Sequence, residues 1–204
     1  MTVVGLTGPT GGGKGEVAAV WAAEGIPVID TDRLAREVVQ PGGPCLSRLV
    51  EAFSPAILRP DGTLNRAALA GIAFSSPEHN RALQAITHPA ILARCRELLA
   101  AEREQGCRAA AVDAPLLFES GFDRECDLTI AVLAPPEIRL RRIRVRDSLS
   151  EEQALSRLRA QPPDEFYTRR ATFCVQNDQD LPALRSIAQD LAAWILRRDG
   201  ERLV

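Results

Sequence analysis

Lysine is almost missing from this chain: of its 25 basic residues only one, Lys14, is lysine, and the rest are arginine. A replacement this general makes the survivor informative, because it marks a position where a planar guanidinium cannot stand in for a compact ammonium. Aromatic residues are also scarce, at 4%, with a single tyrosine and a single methionine. The five cysteines, Cys45, Cys95, Cys107, Cys126 and Cys174, are odd in number and form no CxxC pair. That excludes a disulfide framework or a zinc site as the basis of the fold and reads as small hydrophobes in a reducing compartment. No apolar run reaches the roughly 18 residues of a membrane span. No charged n-region precedes an h-region at the start, so the expected location is cytoplasmic. A net charge of −2 shows no excess of either sign, which argues against a nucleic-acid footprint or an anionic-membrane surface.

What remains is 204 residues, 46% of them hydrophobic, a length and composition that suit one compact α/β domain with an inserted helical part. Residues 2–7 (TVVGLT) form an apolar, β-branched run leading into a glycine-rich turn, and a helical pattern follows through Val17, Ala18, Val20, Trp21 and Ala22. Gly25 closes that helix, and Pro27 to Ile29 give a short strand into Asp30-Thr31-Asp32. A helix from about Arg33 to Val39 ends at Pro41-Gly42-Gly43-Pro44. Residues 45–105 read as mostly helical, with an N-cap signal at Asn65 and a kink or restart expected at Pro89. The apolar runs 109–113 and 127–133 resemble buried parallel strands. An arginine-rich helix (136–147), a helix opened by the capping box Ser150-Glu151-Glu152-Gln153, a short strand (173–176) and a helix from about Asp180 to Arg198 complete the chain. Strands separated by helices predict a parallel sheet, with the helical stretch between strands two and three inserted over one end.

Residues 8–14, GPTGGGK, satisfy the first seven positions of GxxxxGK(S/T) between strand and helix, the context the motif requires. Gly8, Gly11, Gly12 and Gly13 let backbone N–H groups converge on phosphate oxygens, the helix start adds its positive dipole end, and Lys14 reaches the outer phosphates. The bland alternative is a glycine-rich turn with an incidental lysine. The eighth position departs from the pattern: Gly15 replaces the hydroxyl that normally helps to hold Mg²⁺, and Glu16 follows. Glu16 is open to two readings, a metal contact through water or a solvated carboxylate at a helix N-terminus.

Phosphoryl transfer also needs a group that orients and deprotonates the acceptor hydroxyl, expected at the carboxyl end of a strand beside the loop. Asp30 and Asp32 fit that location, and for either the local pattern leaves helix capping and catalysis open. On the arginine helix, Arg139, Arg142 and Arg146 share a face at i, i+3, i+7, an arrangement that calls for anions nearby unless Asp147, Glu151 and Glu152 balance a solvated surface.

The blocks GLTGPTGGGKGEVA, PVIDTDRLAREVVQPG, THPAI, DAPLLFESG, PEIRLRRIRVRD and RLRAQ, in this order and spacing, resemble the dephospho-CoA kinases. The resemblance spans most of the chain. It implies a three-layer P-loop NTPase-type parallel sheet flanked by helices, with a core (about 1–40, 107–135 and 171–204), a helical acceptor-binding insertion (about 41–106) and a lid (about 136–170). It also implies transfer of the ATP γ-phosphoryl group to the ribose 3′-hydroxyl of dephospho-CoA, with Mg²⁺ as cofactor. Carried over residue by residue, Asp32 becomes the general base or hydroxyl-orienting group, Lys14 and Arg142 complete the catalytic set, and Arg146 joins Arg142 on ATP. His88 in the His-Pro step, Leu116, Leu117, Phe118 and Glu119 face the acceptor, and Asp113 takes a water-mediated metal contact. Asn177 stands where the family has an Asn-x-Gly turn and is assigned to adenine, although Thr172 and Gln179 depart from the pattern there. ATP and dephospho-CoA are the expected partners, with no nucleic acid and no membrane, and both a monomer and a homo-oligomer fit. Two other functions are compatible with the Lys14-Gly15-Glu16 step: a nucleotide monophosphate kinase, and a P-loop protein that binds nucleotide with impaired catalysis.

Overall fold

A computed structural model describes residues 1–198. The last six positions of the expected core segment, 199–204, lie outside them. Strand β1 (Thr2–Thr7) occupies the middle of a five-stranded parallel sheet in the order β2-β3-β1-β4-β5. Its neighbours are β3 (Ala109–Asp113) and β4 (Leu128–Leu133), with β2 (Val28–Asp30) and β5 (Phe173–Gln176) at the edges. Every residue of β1, β3 and β4 is buried, which is why they read as continuous apolar runs instead of alternating ones. The register pairs Leu6 with Asp113 on one side and Ile130 on the other. The chain leaves β1 toward β3 and β2, then crosses back to β4, so the strand order switches at β1. The crevice beyond the carboxyl end of a strand at such a switch is where ligands bind in open α/β sheets.

Helices α1 (Lys14–Ala23) and α9 (Leu181–Arg197) cover one face of the sheet. Val17 and Trp21 of α1 pack with Leu6, Ile130, Val132 and the α9 residues Leu184, Ala188, Ala192 and Ile195, and the Trp21 indole donates to the Ala188 carbonyl at 3.0 Å. Deleting a side chain of this size from such a core costs about 3–5 kcal/mol. On the opposite face, Ala131 and Leu133 of β4 meet Tyr167 of α8 (Asp164–Thr168), so the period of two within β4 divides its residues between two cores. Helices α6 (Pro136–Asp147) and α7 (Glu151–Arg159) lie between β4 and α8 in sequence, and the capping box read at Ser150 is present with both of its hydrogen bonds. No helix among the described residues is long and apolar enough to cross a membrane.

Two compact units result: Met1–Ile29 with the chain from Leu99 onward, and Asp30–Leu98. The second unit holds α2 (Thr31–Glu37), α3 (Leu46–Phe53), α4 (Arg66–Ala73) and most of α5 (Pro77–Glu104) around Val38, Cys45, Leu49, Phe53, Leu69 and Ile86. Because Val38 and Val39, just after α2, belong to that core, the helical unit starts at Asp30 and not near residue 41. Pro89 corrects a second expectation in part, since α5 runs through it as one helix and does not restart there. The missing proline N–H deprives the chain of one helical bond, but Ile86, Ala90 and Ile91 on either side are packed into the core, and that burial carries the helix across.

Candidate active site

The loop between β1 and α1 folds as its glycines require. Gly8 and Gly13 adopt positive φ, and a Cβ on Gly8 would overlap the Val132 carbonyl of β4. The amides of Gly13, Lys14 and Gly15 have no acceptor among the described residues, so three N–H groups are left converging at the N-terminus of α1, the arrangement that receives a phosphate. Lys14 reaches from α1 to the carboxyl end of β3, where its ammonium pairs with Asp113 Oδ1. Both side chains are largely buried, at 17% and 11% exposure. A cation and a metal-competent carboxylate thus meet at the mouth of the amide cradle.

The carbonyl side of the loop is held by two side chains. Arg142 Nη1 donates to the Gly11 carbonyl at 3.2 Å, and Asn177 Nδ2 donates to the Gly12 carbonyl at 2.7 Å. Burial, with the neighbouring Arg141 charge second, lowers the Arg142 pKa. Its acceptors are all neutral oxygens, and no carboxylate among the described residues pairs with it. A partly desolvated cation without a carboxylate partner beside three unpaired loop amides favours an anion. Arg146 donates to Thr10 Oγ1 at 3.4 Å, while its main partner is the Asp147 carboxylate at 2.8 Å. Arg139 stands beside the loop, since a Cβ on Gly11 would meet its backbone, but its guanidinium goes elsewhere. It is buried, and its Nη2 lies 3.3 Å from Asp164 Oδ1 across the α6–α8 contact.

Glu16 stands in the first turn of α1, as the second of its two readings has it, but it is paired there. Its carboxylate accepts from Arg185 Nε of α9 at 2.5 Å, because α1 and α9 lie side by side and bring the two within reach. Asn177 is 4% exposed, and its side-chain amide is engaged at both atoms, by Gly12 and by Arg142 Nη2 at 3.2 Å. Leu117 is a correction: it is fully buried against Gly5 of β1, where a side chain on the glycine would collide with it, and it belongs to the core. Leu116 is exposed. Phe118 packs edge-on against Phe166 and tilted against Tyr167. Desolvation raises the Glu119 carboxyl above its usual range, with Arg170 opposing, and burial together with the Glu119 charge pushes Tyr167 up to about 12.

In the second unit the two aspartates separate by geometry. Asp30 Oδ1 accepts from the amides of Asp32 and Arg33 and caps α2, whereas the Asp32 side chain has no partner among the described residues. His88 is half-buried on α5, and burial lowers its pKa, which favours the neutral imidazole. Sequence reasoning missed Gln161, whose Oε1 accepts from the Thr10 amide of the loop at 2.9 Å. The one available signal was its place in the RLRAQ block, just after α7.

The family model for dephospho-CoA kinase matches residues 2–183. A dephospho-CoA kinase of Corynebacterium glutamicum is 41% identical over 198 residues, which cover 97% of this chain and 99% of that protein. One of Moorella thermoacetica is 45% identical over 199 residues, covering 95% and 91%. The solved dephospho-CoA kinase of Campylobacter jejuni superposes with a TM-score of 0.73 at 26% identity, over 96% of this chain and 97% of that one.

Proposed function

The chain belongs to the dephospho-CoA kinase family, and from that premise we propose how its own residues carry ATP-dependent phosphorylation of the ribose 3′-hydroxyl of dephospho-CoA. The observation that carries the proposal is the loop itself: three unpaired amides with Lys14, Asp113 and an uncompensated Arg142 around them. Gly13, Lys14 and Gly15 donate to the ATP phosphates. Lys14 exchanges Asp113 for a phosphate oxygen, and Arg142 stabilises charge on the transferring group. Asp32 accepts the proton of the acceptor hydroxyl, and the resemblance to the family assigns His88, Leu116, Phe118 and Glu119 to the remainder of dephospho-CoA. Residues 136–170 act as a lid that excludes water during transfer.

Mg²⁺ is the cofactor of this reading, and the residues present fit it sparsely. Asp113, once released by Lys14, supplies a carboxylate at the phosphate cradle, and no group of three or more His, Cys, Asp or Glu side chains gathers among the described residues. Mg²⁺ keeps several waters and needs few protein ligands. When bound it neutralises charge on the β- and γ-phosphates. A Cβ on Gly15 would meet nothing within 4 Å, so there is room for a serine where the chain lacks the usual hydroxyl. Gly15→Ser should therefore lower the Mn²⁺ dissociation constant of the ADP complex, read by electron paramagnetic resonance, by about five-fold, the effect of one added oxygen contact of about 1 kcal/mol. An unchanged constant would show that a side-chain oxygen at this position adds nothing to the metal site.

Incubating the purified chain with Mg²⁺-ATP and dephospho-CoA should give coenzyme A and ADP, followed by mass spectrometry. Absence of coenzyme A in a reaction where a control kinase succeeds overturns the reading, and faster phosphorylation of AMP than of dephospho-CoA reassigns the acceptor.

A further inference from the structure

The peptide joining Gly12 and Gly13 poses a mechanical problem. Its N–H belongs to Gly13 and faces the phosphate cradle, so its C=O, on Gly12, must point the other way. With no Cβ on either side, little steric resistance opposes a flip of this peptide plane, and a flip would turn a carbonyl toward the phosphates. The loop's own backbone does not fix the plane, since the Gly12 carbonyl has no backbone donor. Asn177 does. Its Nδ2 donates to that carbonyl at 2.7 Å from a buried position, and the Asn177 backbone N–H is itself anchored to the Leu133 carbonyl at 2.7 Å, fixing the residue to the end of β4. The fit is tight enough that any Cβ on Gly13 would overlap Asn177 Nδ2. The other amide atom, Oδ1, accepts from Arg142 Nη2 at 3.2 Å, and the Asn177 carbonyl accepts from the same nitrogen at 3.4 Å. Arg142 Nη1 in turn holds the Gly11 carbonyl at 3.2 Å.

We infer that Asn177 is a positioning residue for phosphoryl transfer: it locks the Gly12–Gly13 peptide with the Gly13 N–H toward the ATP phosphates and ties that peptide to Arg142. The inference rests on the reading of residues 8–14 as the ATP phosphate site and gives Asn177 a task other than contact with adenine. Asparagine suits the task because one planar amide presents a donor and an acceptor at opposite corners, which neither a carboxylate nor an aliphatic side chain does.

Two near-isosteric variants separate the lock from simple packing. Asn177→Leu keeps most of the volume and removes donor and acceptor. Asn177→Asp keeps the acceptor for Arg142 and loses the donor to Gly12. Both should weaken ADP binding about 10-fold by calorimetry and lower kcat by about 10- to 100-fold, with KM for dephospho-CoA within two-fold of the parent. A role in packing alone would leave both variants close to the parent, and folded variants that bind ADP within two-fold of it overturn the inference. Lys14→Ala serves as the reference: if it too leaves ADP affinity unchanged, the phosphate-site reading fails, whereas if it abolishes binding while the Asn177 variants do not, only the lock fails. In the unaltered chain, the Asn177 side-chain amide protons should exchange slowly with solvent and shift on ADP addition by nuclear magnetic resonance. Fast exchange insensitive to ADP overturns the inference without any variant.

Discussion

Lys14→Arg lowers turnover by roughly 100- to 1000-fold while the chain stays folded, the loss expected when one electrostatic donor at a phosphoryl-transfer site is misplaced. At every other basic position of this protein arginine already serves as the cation. At position 14 the ammonium lies largely buried between the amide cradle and Asp113, and the site is matched to a point charge. A guanidinium there has a better option than the phosphate: its rigid fork takes both oxygens of Asp113 at once, which lengthens the lifetime of the resting pair and withholds the carboxylate from the metal. ATP affinity should fall as well, because the ground state and the transition state share this contact. Coupled-assay kcat and KM values with a melting curve decide it, and turnover within about three-fold of the parent would mean that the lone lysine has no special task.

The sheet was legible because buried parallel strands leave an apolar run between breakers, as in residues 109–113 and 127–133, and because the loop after β1 needs glycine where φ is positive. Lys14 and Arg142 were legible through motif and spacing. What stayed hidden depends on contacts between residues far apart in the chain. Glu16 looked either solvated or metal-bound because its partner, Arg185, lies 169 positions away on a helix that only the packed core brings alongside α1. Arg139 follows the same spacing as Arg142, yet its guanidinium reaches Asp164 of α8, a partner that spacing along α6 does not show. Leu117 went unrecognised as core because the space it fills is made by an absent side chain, that of Gly5. Pro89 misled in the other direction: the local cost of a proline is real, but apolar burial on both sides of it exceeds that cost.

The pair Asp30 and Asp32 shows local pattern and geometry dividing the work, and it carries the second large effect. Both aspartates stand at the end of β2, and either type of residue suits a helix start. The hydrogen bonds separate them: Asp30 Oδ1 accepts from the amides of Asp32 and Arg33 and is tied to the helix cap, while the exposed Asp32 side chain has no partner among the described residues. A general base must be able to turn an oxygen toward the incoming proton, and Asp32, which caps nothing, is the aspartate we propose for that role. Asp32→Asn should lower kcat by about 10²- to 10⁴-fold, the contribution typical of a positioned proton acceptor, and leave ADP affinity within two-fold because the change touches no phosphate contact. Asp30→Asn preserves the cap, since asparagine accepts from the same amides nearly as well, and should leave kcat within about three-fold. Measured side by side, the two variants test the assignment internally. If the loss follows position 30 and spares position 32, the roles are exchanged; if neither variant loses turnover, the acceptor proton leaves by another route and neither aspartate belongs to the chemistry.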